Sequence, residues 1–507
     1  MTAYDVIVIG GGHNGLVTAA LLAGNDRKVV VLERHAVPGG LAVGDEFHTG
    51  FTAAGLLHDT SGVNSRVIDQ LGLQPLVTGP PPVFAPQHPD DGPGLLLHRD
   101  PARAAGEIET HSAADMRRYG EYHALLRRLR PFTSGLFDSE PPALAGDGAS
   151  LWKLTGRAVA LRRLGRGDMM ELLRILPMAL ADWLNEWFES ELLRSTLALP
   201  AIAGTRTGPW SPGNVANLLR LESMAGKPVT GGPKGFIDAL ESAARQRGVD
   251  IRTDAEVRRV CTAHGAVTGA RLFDGETIDA PVVAASCDPK QVFLKLVDPA
   301  AVTPKLNHQV DKLRGSGTTA KVDLAISGPL RFACRPDLDA VHAHVVTTID
   351  DMERAFDATK YGRCSEQPVL DVYTPTGQAP DGHCVVSIVA HFAPHDLAGG
   401  WTDAARERLG DTVVATLARY APDLPGQVIA RRVQTPVDIE TRYGVTGGHI
   451  HHVEHALDQM VVRPVPQCAR YATPIRGLYL CGSGSHPGGG LTGGPGMLAA
   501  AAILKSS

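Results

Sequence analysis

The sequence predicts an α/β protein: a parallel-sheet unit opened by a βαβ motif, joined to a second part of mixed sheet and helices. Three observations predict it. Tyr4–Ile9 is a short β-branched run that meets Gly10-Gly11-Gly12 and passes into a helical stretch, Asn14–Ala23. Val29–Leu32 then reads as a second buried strand, so residues 1–33 form one compact βαβ unit. At the far end a buried strand, Gly477–Gly482, runs into a glycine-rich loop and an alanine-rich helix, Met497–Leu504.

Between these ends the pattern changes several times. Pro80 to Pro93 is proline-rich and reads as an irregular crossing. From about Ser112 to Leu221 apolar residues recur at three- and four-residue spacing, as in Ala114–Leu129 and Met169–Ala198, and predict helices. Strand alternation returns at Asp250–Arg252, Ala255–Cys261, Val267–Leu272 and Thr277–Ile278, with Asp274-Gly275 as a hairpin turn and Val282–Ala285 as a buried strand. Residues 315–465 mix short strands (Ala320–Ile326, Val385–Ala390) with one helix near Thr402–Tyr420. The expected division is a discontinuous nucleotide-binding domain, 1–75, 226–295 and 470–507, and a substrate domain, 76–225 and 296–469, largely helical over 112–221.

Composition sets limits. Hydrophobic residues make up 43% and charged residues 20% of 507, the balance of a globular chain with a large core. A net charge of −5 gives no reason to expect a nucleic-acid partner. Seven cysteines, with no C-x-x-C pair, predict reduced, mostly buried thiols and a cytoplasmic setting rather than a redox dithiol or a zinc site. No basic leader and no long apolar span are seen.

Gly10-x-Gly12-x-x-Gly15 follows a strand and opens a helix, the context of the Rossmann-type dinucleotide fingerprint. One glycine makes the turn, one admits the pyrophosphate, and one lets helix and strand pack closely. Glu33 closes the second strand, where a carboxylate accepts hydrogen bonds from an adenosine ribose. The fingerprint alone leaves FAD and NAD open. Glu33-Arg34-x-x-x-x-Gly39-Gly40 tips the choice, because it resembles the glutathione-reductase-type and amine-oxidase-type flavoproteins, and no second fingerprint unit is present for a nicotinamide. The loop Ser485–Gly496 feeds a helix N-terminus, an anion site suited to the pyrimidine edge of a reduced flavin.

With both ends in view, the sequence resembles the phytoene desaturase and carotenoid ketolase superfamily of FAD-dependent oxidoreductases. It is most similar to the branch that includes pyridine nucleotide-disulphide oxidoreductase domain-containing protein 2. The carrying motifs are Gly-Gly-His-Asn-Gly-Leu-Val (11–17), Gly231-Gly232-Pro233-Lys234-Gly235, Thr446-Gly447-Gly448-His449-Ile450 and Leu478–Gly490. The resemblance implies non-covalent FAD, with Gly10, Gly12 and Gly15 at the pyrophosphate and Glu33, Arg34, Gly39 and Gly40 beside it. It also implies that the Val257 backbone meets the adenine, and that Gly482, Ser483, Leu491 and Thr492 meet the ribityl chain and ring. Ser483 stands where many FAD enzymes carry Asp, and residues 52–62 depart from the desaturase pattern.

The reaction the resemblance implies is dehydrogenation (desaturation) of a hydrophobic small molecule, by hydride transfer to flavin N5, with oxygen, a quinone or another acceptor reoxidising the flavin. A flavin oxygenase or ketolase, and a non-catalytic FAD-binding interaction protein, are the alternatives. His58, His449 and His486 fall in segments that should approach the flavin and are the candidates for proton transfer. Strand alternation puts His449 and His451 on one face, but dispersed use is expected, with one histidine at the flavin and the others on the surface, and no metal site is assigned. Basic residues outnumber acidic ones over 151–175 (Lys153, Arg157, Arg162, Arg163, Arg166 and Arg174) and interleave with Leu151, Trp152, Leu154, Leu161 and Leu164. Such a face can lie on an anionic membrane, so peripheral contact is an expectation.

Overall fold

The computed structural model describes residues 4–73, 81–141, 148–224, 226 and 229–506, with backbone alone over 148–154. Pro80, the expected domain boundaries near 75 and 225, and the side chains of Leu151, Trp152, Lys153 and Leu154 lie outside the described residues.

A parallel five-stranded sheet has the order Leu478–Leu480, Val282–Ala285, Val6–Ile9, Val29–Leu32, Asp250–Arg252. Its central strands are unbroken β-branched and aliphatic runs because both faces are covered. Val6, Val8, Val29 and Val31 pack with the helices His13–Ala23, Gly232–Gln246 and Gly494–Ser506. Ile7, Ile9, Val30 and Leu32 pack on the other side with Val257, Val260, Ala270 and Ile278 of a three-stranded antiparallel sheet. The first and last helices nearly touch: a Cβ on Gly496 would sit 2.3 Å from Asn14 O.

A mixed seven-stranded sheet has the order Val428–Gln434, Thr319–Ile326, Cys384–His391, Val369–Tyr373, His342–Val345, Val83–Ala85, Leu95–Leu97. Ala320, Val322, Leu324, Leu370, Val386 and Ile388 form its apolar face, packed against Leu409, Val413 and Leu417 of the helix Asp403–Ala418. The opposite face, set by the register Lys321↔Val389, Asp323↔Ser387 and His344↔Asp371, is polar and largely buried. Residues 52–60 cover it, with Ala54 N donating to Ser387 Oγ at 2.9 Å and Lys321 Nζ donating to Ala54 O.

Four readings are corrected. The crossing 80–93 contributes a strand, Val83–Ala85, that joins the larger sheet. The continuous periodicity Met169–Ala198 is three helices, Gly165–Ile175, Leu180–Trp187 and Glu191–Ile202. The first break falls at Pro177, which has no N–H and whose carbonyl accepts from Gly213 N. The second is held open by buried Asp115, whose carboxylate accepts from Glu189 N and Ser190 N at 2.8 Å each. Residues 315–465 carry three further α-helices, Ile349–Lys360, Leu424–Gln427 and Pro436–Tyr443, the first and last started by a Thr cap with an acidic first turn. The cysteines are thiols, but only Cys468 and Cys481 are fully buried.

Candidate functional site

A groove opens at the carboxyl ends of the strands Val6–Ile9, Val29–Leu32 and Val282–Ala285, the edge where parallel α/β sheets bind ligands. Gly10, Gly12 and His13 form its floor, Glu33 and Arg34 one end, and Asp288, His452 and Ser483 the other. The local chain explains the floor. Gly10 has φ +96°, and Gly12 extends the backbone into a helix N-terminus that has no side-chain cap and no acidic residue in its first turn. Its first N–H groups therefore stay open toward the groove. A Cβ on Gly12 would meet nothing within 4 Å, whereas one on Gly15 would lie 2.0 Å from Gly10 O. The two glycines do different things: one leaves space, the other closes a packing contact.

Glu33 is 5% exposed. Its Oε2 accepts from Gly11 N at 2.6 Å and its Oε1 from His35 N at 2.9 Å, which ties the glycine loop to the second strand. A carboxylate has about four lone-pair sites, so acceptor capacity remains for a ligand. Arg34 donates to Arg442 O, bringing Tyr443 and Gly444 over the same end. At the other end Asn14 Nδ2 donates to Ser483 Oγ at 3.3 Å.

His13 Nε2, Asn14 Oδ1 and His452 Nδ1 are buried with no hydrogen-bond partner. Burial pushes His13 down to about 4 and His452 down to about 3, so both rings are neutral near pH 7. Asp288 is pushed up to about 6 by burial, although its carboxylate accepts from Lys290 N and Thr446 N. Burial likewise raises the Cys287 thiol to about 12, so it stays protonated. A groove floored by glycines and open N–H groups, with orphaned polar atoms along it, is built for an extended phosphate-bearing ligand.

The chain matches the family model of flavin containing amine oxidoreductases over residues 15–504. The chain belongs to this family. It is 32% identical to pyridine nucleotide-disulfide oxidoreductase domain-containing protein 2 of Rattus norvegicus, covering 99% of this chain and 93% of that one. It is 27% identical to a limonene dehydrogenase subunit of Castellaniella defragrans, over 99% and 94% of the two chains. It is 26% identical to hydroxyneurosporene desaturase of Cereibacter sphaeroides, over 96% and 94%. This flavin amine oxidoreductase is an FAD-dependent oxidoreductase that binds its FAD non-covalently and acts on a small molecule with an electron acceptor.

The groove fits that cofactor. Uncapped N–H groups at Gly12–Asn14 suit the pyrophosphate, and the spare lone pairs of Glu33 suit the ribose. Of the residues expected from sequence, Gly10, Gly12, Glu33, Arg34, Gly40, Val257 and Ser483 line the groove. Gly15, Gly39 and Gly482 support it from behind: a Cβ on Gly39 would strike Val43, and one on Gly482 would lie 2.3 Å from Ser286 O. Leu491 packs in the core, and Thr492 ties the loop down by accepting from Asn64 N and Gly494 N.

The structure separates the three candidate histidines. His58 lies over the polar sheet face, 3.1 Å from Asp371 and stacked on Tyr373. His449 is fully buried, with Nε2 3.5 Å from Glu454. His486 is fully buried beside Phe137, with neither ring nitrogen bonded, and burial holds it down at about 3. The expectation that the other histidines of 449–455 are on the surface is corrected: His451 and His455 are buried. Nor is this stretch a strand. It turns, His452 N donating to His449 O at 2.8 Å and His452 taking φ +65°.

Sequence reasoning missed His13, Asn14, Asp288 and His452. The first two sit inside the fingerprint, and Asp288 follows a strand whose carboxyl end faces the ligand edge, so a signal existed for these. None existed for His452.

Proposed function

We propose that this oxidoreductase dehydrogenates a hydrophobic small molecule, with loss of a hydride from carbon. The observation that carries the reading is how the helical layer meets the glycine loop 484–494. Phe137 stacks on His486 at 6.1 Å and 15°, and Phe137, Ala216, Met224 and Met460 form an apolar cluster there. Arg220, itself buried, donates to Gly489 O at 3.2 Å and fixes the loop against that layer. The similarity to a limonene dehydrogenase subunit and to a hydroxyneurosporene desaturase supports an apolar substrate.

Bound FAD supplies the hydride acceptor. The chain's own part is to bind, orient and exclude water, with apolar burial worth about 25 cal/mol per Å². His58 and His449 each stand beside a carboxylate, whereas His486 stays neutral with neither ring nitrogen hydrogen-bonded. Among the described residues no second fingerprint unit is present, so oxygen, a quinone or another acceptor reoxidises the flavin. The division into the discontinuous FAD domain (1–75, 226–295, 470–507) and the substrate domain belongs to this proposal.

Anaerobic mixing with a monocyclic monoterpene or an acyclic carotenoid should bleach the flavin in one step, slowed by deuterium at the oxidised carbon. NADH and NADPH should reduce it slowly or not at all, and no single substitution at His58, His449 or His486 should abolish reduction. Bleaching by amines alone overturns the substrate class. Turnover that needs added reductant and places oxygen from O₂ in the product overturns dehydrogenation in favour of an oxygenase.

We also propose peripheral membrane contact through the helices Gly148–Arg163 and Gly165–Ile175. Val159, Met170 and Leu173 are exposed beside exposed Arg162, Arg163 and Arg166. Arg157 and Arg174 do not join this face: Arg157 donates to Glu140 O, and Arg174 pairs with Glu171 and Glu186. No helix among the described residues is long and apolar enough to cross a membrane. Vesicles containing anionic lipid should retain the protein at low salt and release it at high salt. Equal recovery in the supernatant with and without vesicles refutes the contact.

A further inference from the structure

The buried polar face of the seven-stranded sheet gathers four imidazoles around one carboxylate. Alternation on His342–Val345 puts His342 and His344 on that face, and the register His344↔Asp371 sets Asp371 between them. His391 comes from the next strand but one, and His58 from the covering segment. His342 Nε2 lies 2.6 Å from Asp371 Oδ1, His58 Nε2 lies 3.1 Å from Asp371 Oδ2, and His344 Nε2 lies 3.9 Å from Asp371 Oδ1.

A hydrogen-bonded histidine–aspartate pair accounts for His342 alone. His58 Nε2 is near the carboxylate but off the direction a hydrogen bond requires, and both its ring nitrogens lack a partner. His344 Nδ1 and both nitrogens of His391 are buried and unbonded as well. Leaving buried donors and acceptors unsatisfied is costly, and the covering segment and the strands His342–Val345 and Cys384–His391 leave five such nitrogens around one carboxylate.

We propose that His58, His342 and Asp371 bind a zinc-type divalent cation, with His344 as the fourth donor, which clamps segment 52–60 onto the sheet. One ligand atom from each of the three residues lies within 4.8 Å of the others. The donor set of imidazoles and one carboxylate is that of a borderline divalent ion, and ligand atoms about 2.1 Å from a tetrahedral ion stand about 3.4 Å apart. The pair His58–Asp371 is close to that spacing already, and the pair His342–Asp371 has to open by about 0.8 Å to reach it. Tyr373 lies parallel to the His58 ring, 8° between planes and 5.3 Å between centroids, and holds it toward Asp371.

The test uses the full chain loaded with FAD, dialysed against a chelator and titrated with Zn²⁺ alone. One ion per chain is expected, with a thermal midpoint that rises with zinc concentration. His342→Gln and Asp371→Asn should weaken uptake at least tenfold, and His391→Gln should keep it. Flavin absorbance reports whether each variant has folded. If the two sheet variants lose their flavin, His58→Gln, on the covering segment, makes the same test. No stoichiometric uptake, or equal uptake by the parent and the His58 and His342 variants, overturns the site and leaves a hydrogen-bonded histidine–aspartate pair.

Discussion

Gly12→Ala is expected to fold like the parent chain and lose most of its flavin, and Gly15→Ala to lose both flavin and stability. The contrast comes from what each new methyl meets. At Gly12 the backbone has φ −68°, which alanine adopts freely, and the added Cβ finds no protein atom within 4 Å. It projects into the space over the open N–H groups, where a pyrophosphate must approach. Such intrusion costs about 1–3 kcal/mol, about ten- to a hundredfold in affinity. At Gly15 the Cβ would stand 2.0 Å from Gly10 O and 3.3 Å from the Ser286 side chain. The first helix must then move off the sheet, which costs about 3 kcal/mol or more before any ligand binds. Flavin absorbance per chain and the thermal midpoint of flavin-free protein separate the two. Equal midpoints for the two variants would show that the helix–strand contact has been misread.

The second large effect is acid destabilisation that begins just below neutral pH. Burial holds His13 down to about 4, and His451, His452 and His486 each down to about 3, so all four are neutral in the folded chain. The unfolded chain takes up protons on these rings near pH 6.5. The stability is therefore fully present above that pH and is lost as pH falls toward the folded values. At pH 5.5 each ring costs about 1.4 kcal/mol, and four cost about 6 kcal/mol, as much as the whole net stability of many domains. His123, His344, His391 and His455 are lowered too and add to the loss. His342 and His395 oppose it, because burial, which would lower them, is outweighed by Asp371 and by Asp396 with Glu440. The charged groups acting on these rings are Glu454, Arg157, Arg220 and Arg463, and the three arginines reinforce the lowering by repulsion. Denaturant unfolding at pH 7.5 and 5.5 should show a drop of several kcal/mol, and His486→Phe should reduce it. A flat profile across this range refutes the neutral-histidine core.

Much of the cofactor site was legible because its information is local. The strand, the three glycines and the helix lie within residues 4–23, and Glu33 ends the next strand, so period and spacing suffice to place them. The break in Met169–Ala198 was not legible, since the residue that holds it open, Asp115, is distant in sequence and its two backbone partners look like any other polar stretch. His449 and His486 were singled out by their neighbours in sequence; packing buries both, His449 beside Glu454 and His486 beside Phe137, while His452 turns toward the groove.

Short-range pattern was enough to place a βαβ unit with a dinucleotide-type glycine loop at the start of the chain, Glu33 at the end of its second strand, and a last strand and helix that return to that unit. These follow from hydrophobic period, glycine spacing and a carboxylate at a strand end, all set by short-range sterics and hydrogen bonding. Which polar groups share an interior was settled by packing between distant segments. His58, His342, His344 and Asp371 come together through an antiparallel register and a covering segment, and Asp288 and His452, far apart in the chain, come to line the same groove. The reason is that a strand's pattern fixes which residues face one side but not which strand lies beside it, and that pairing is settled by packing between segments far apart in the chain.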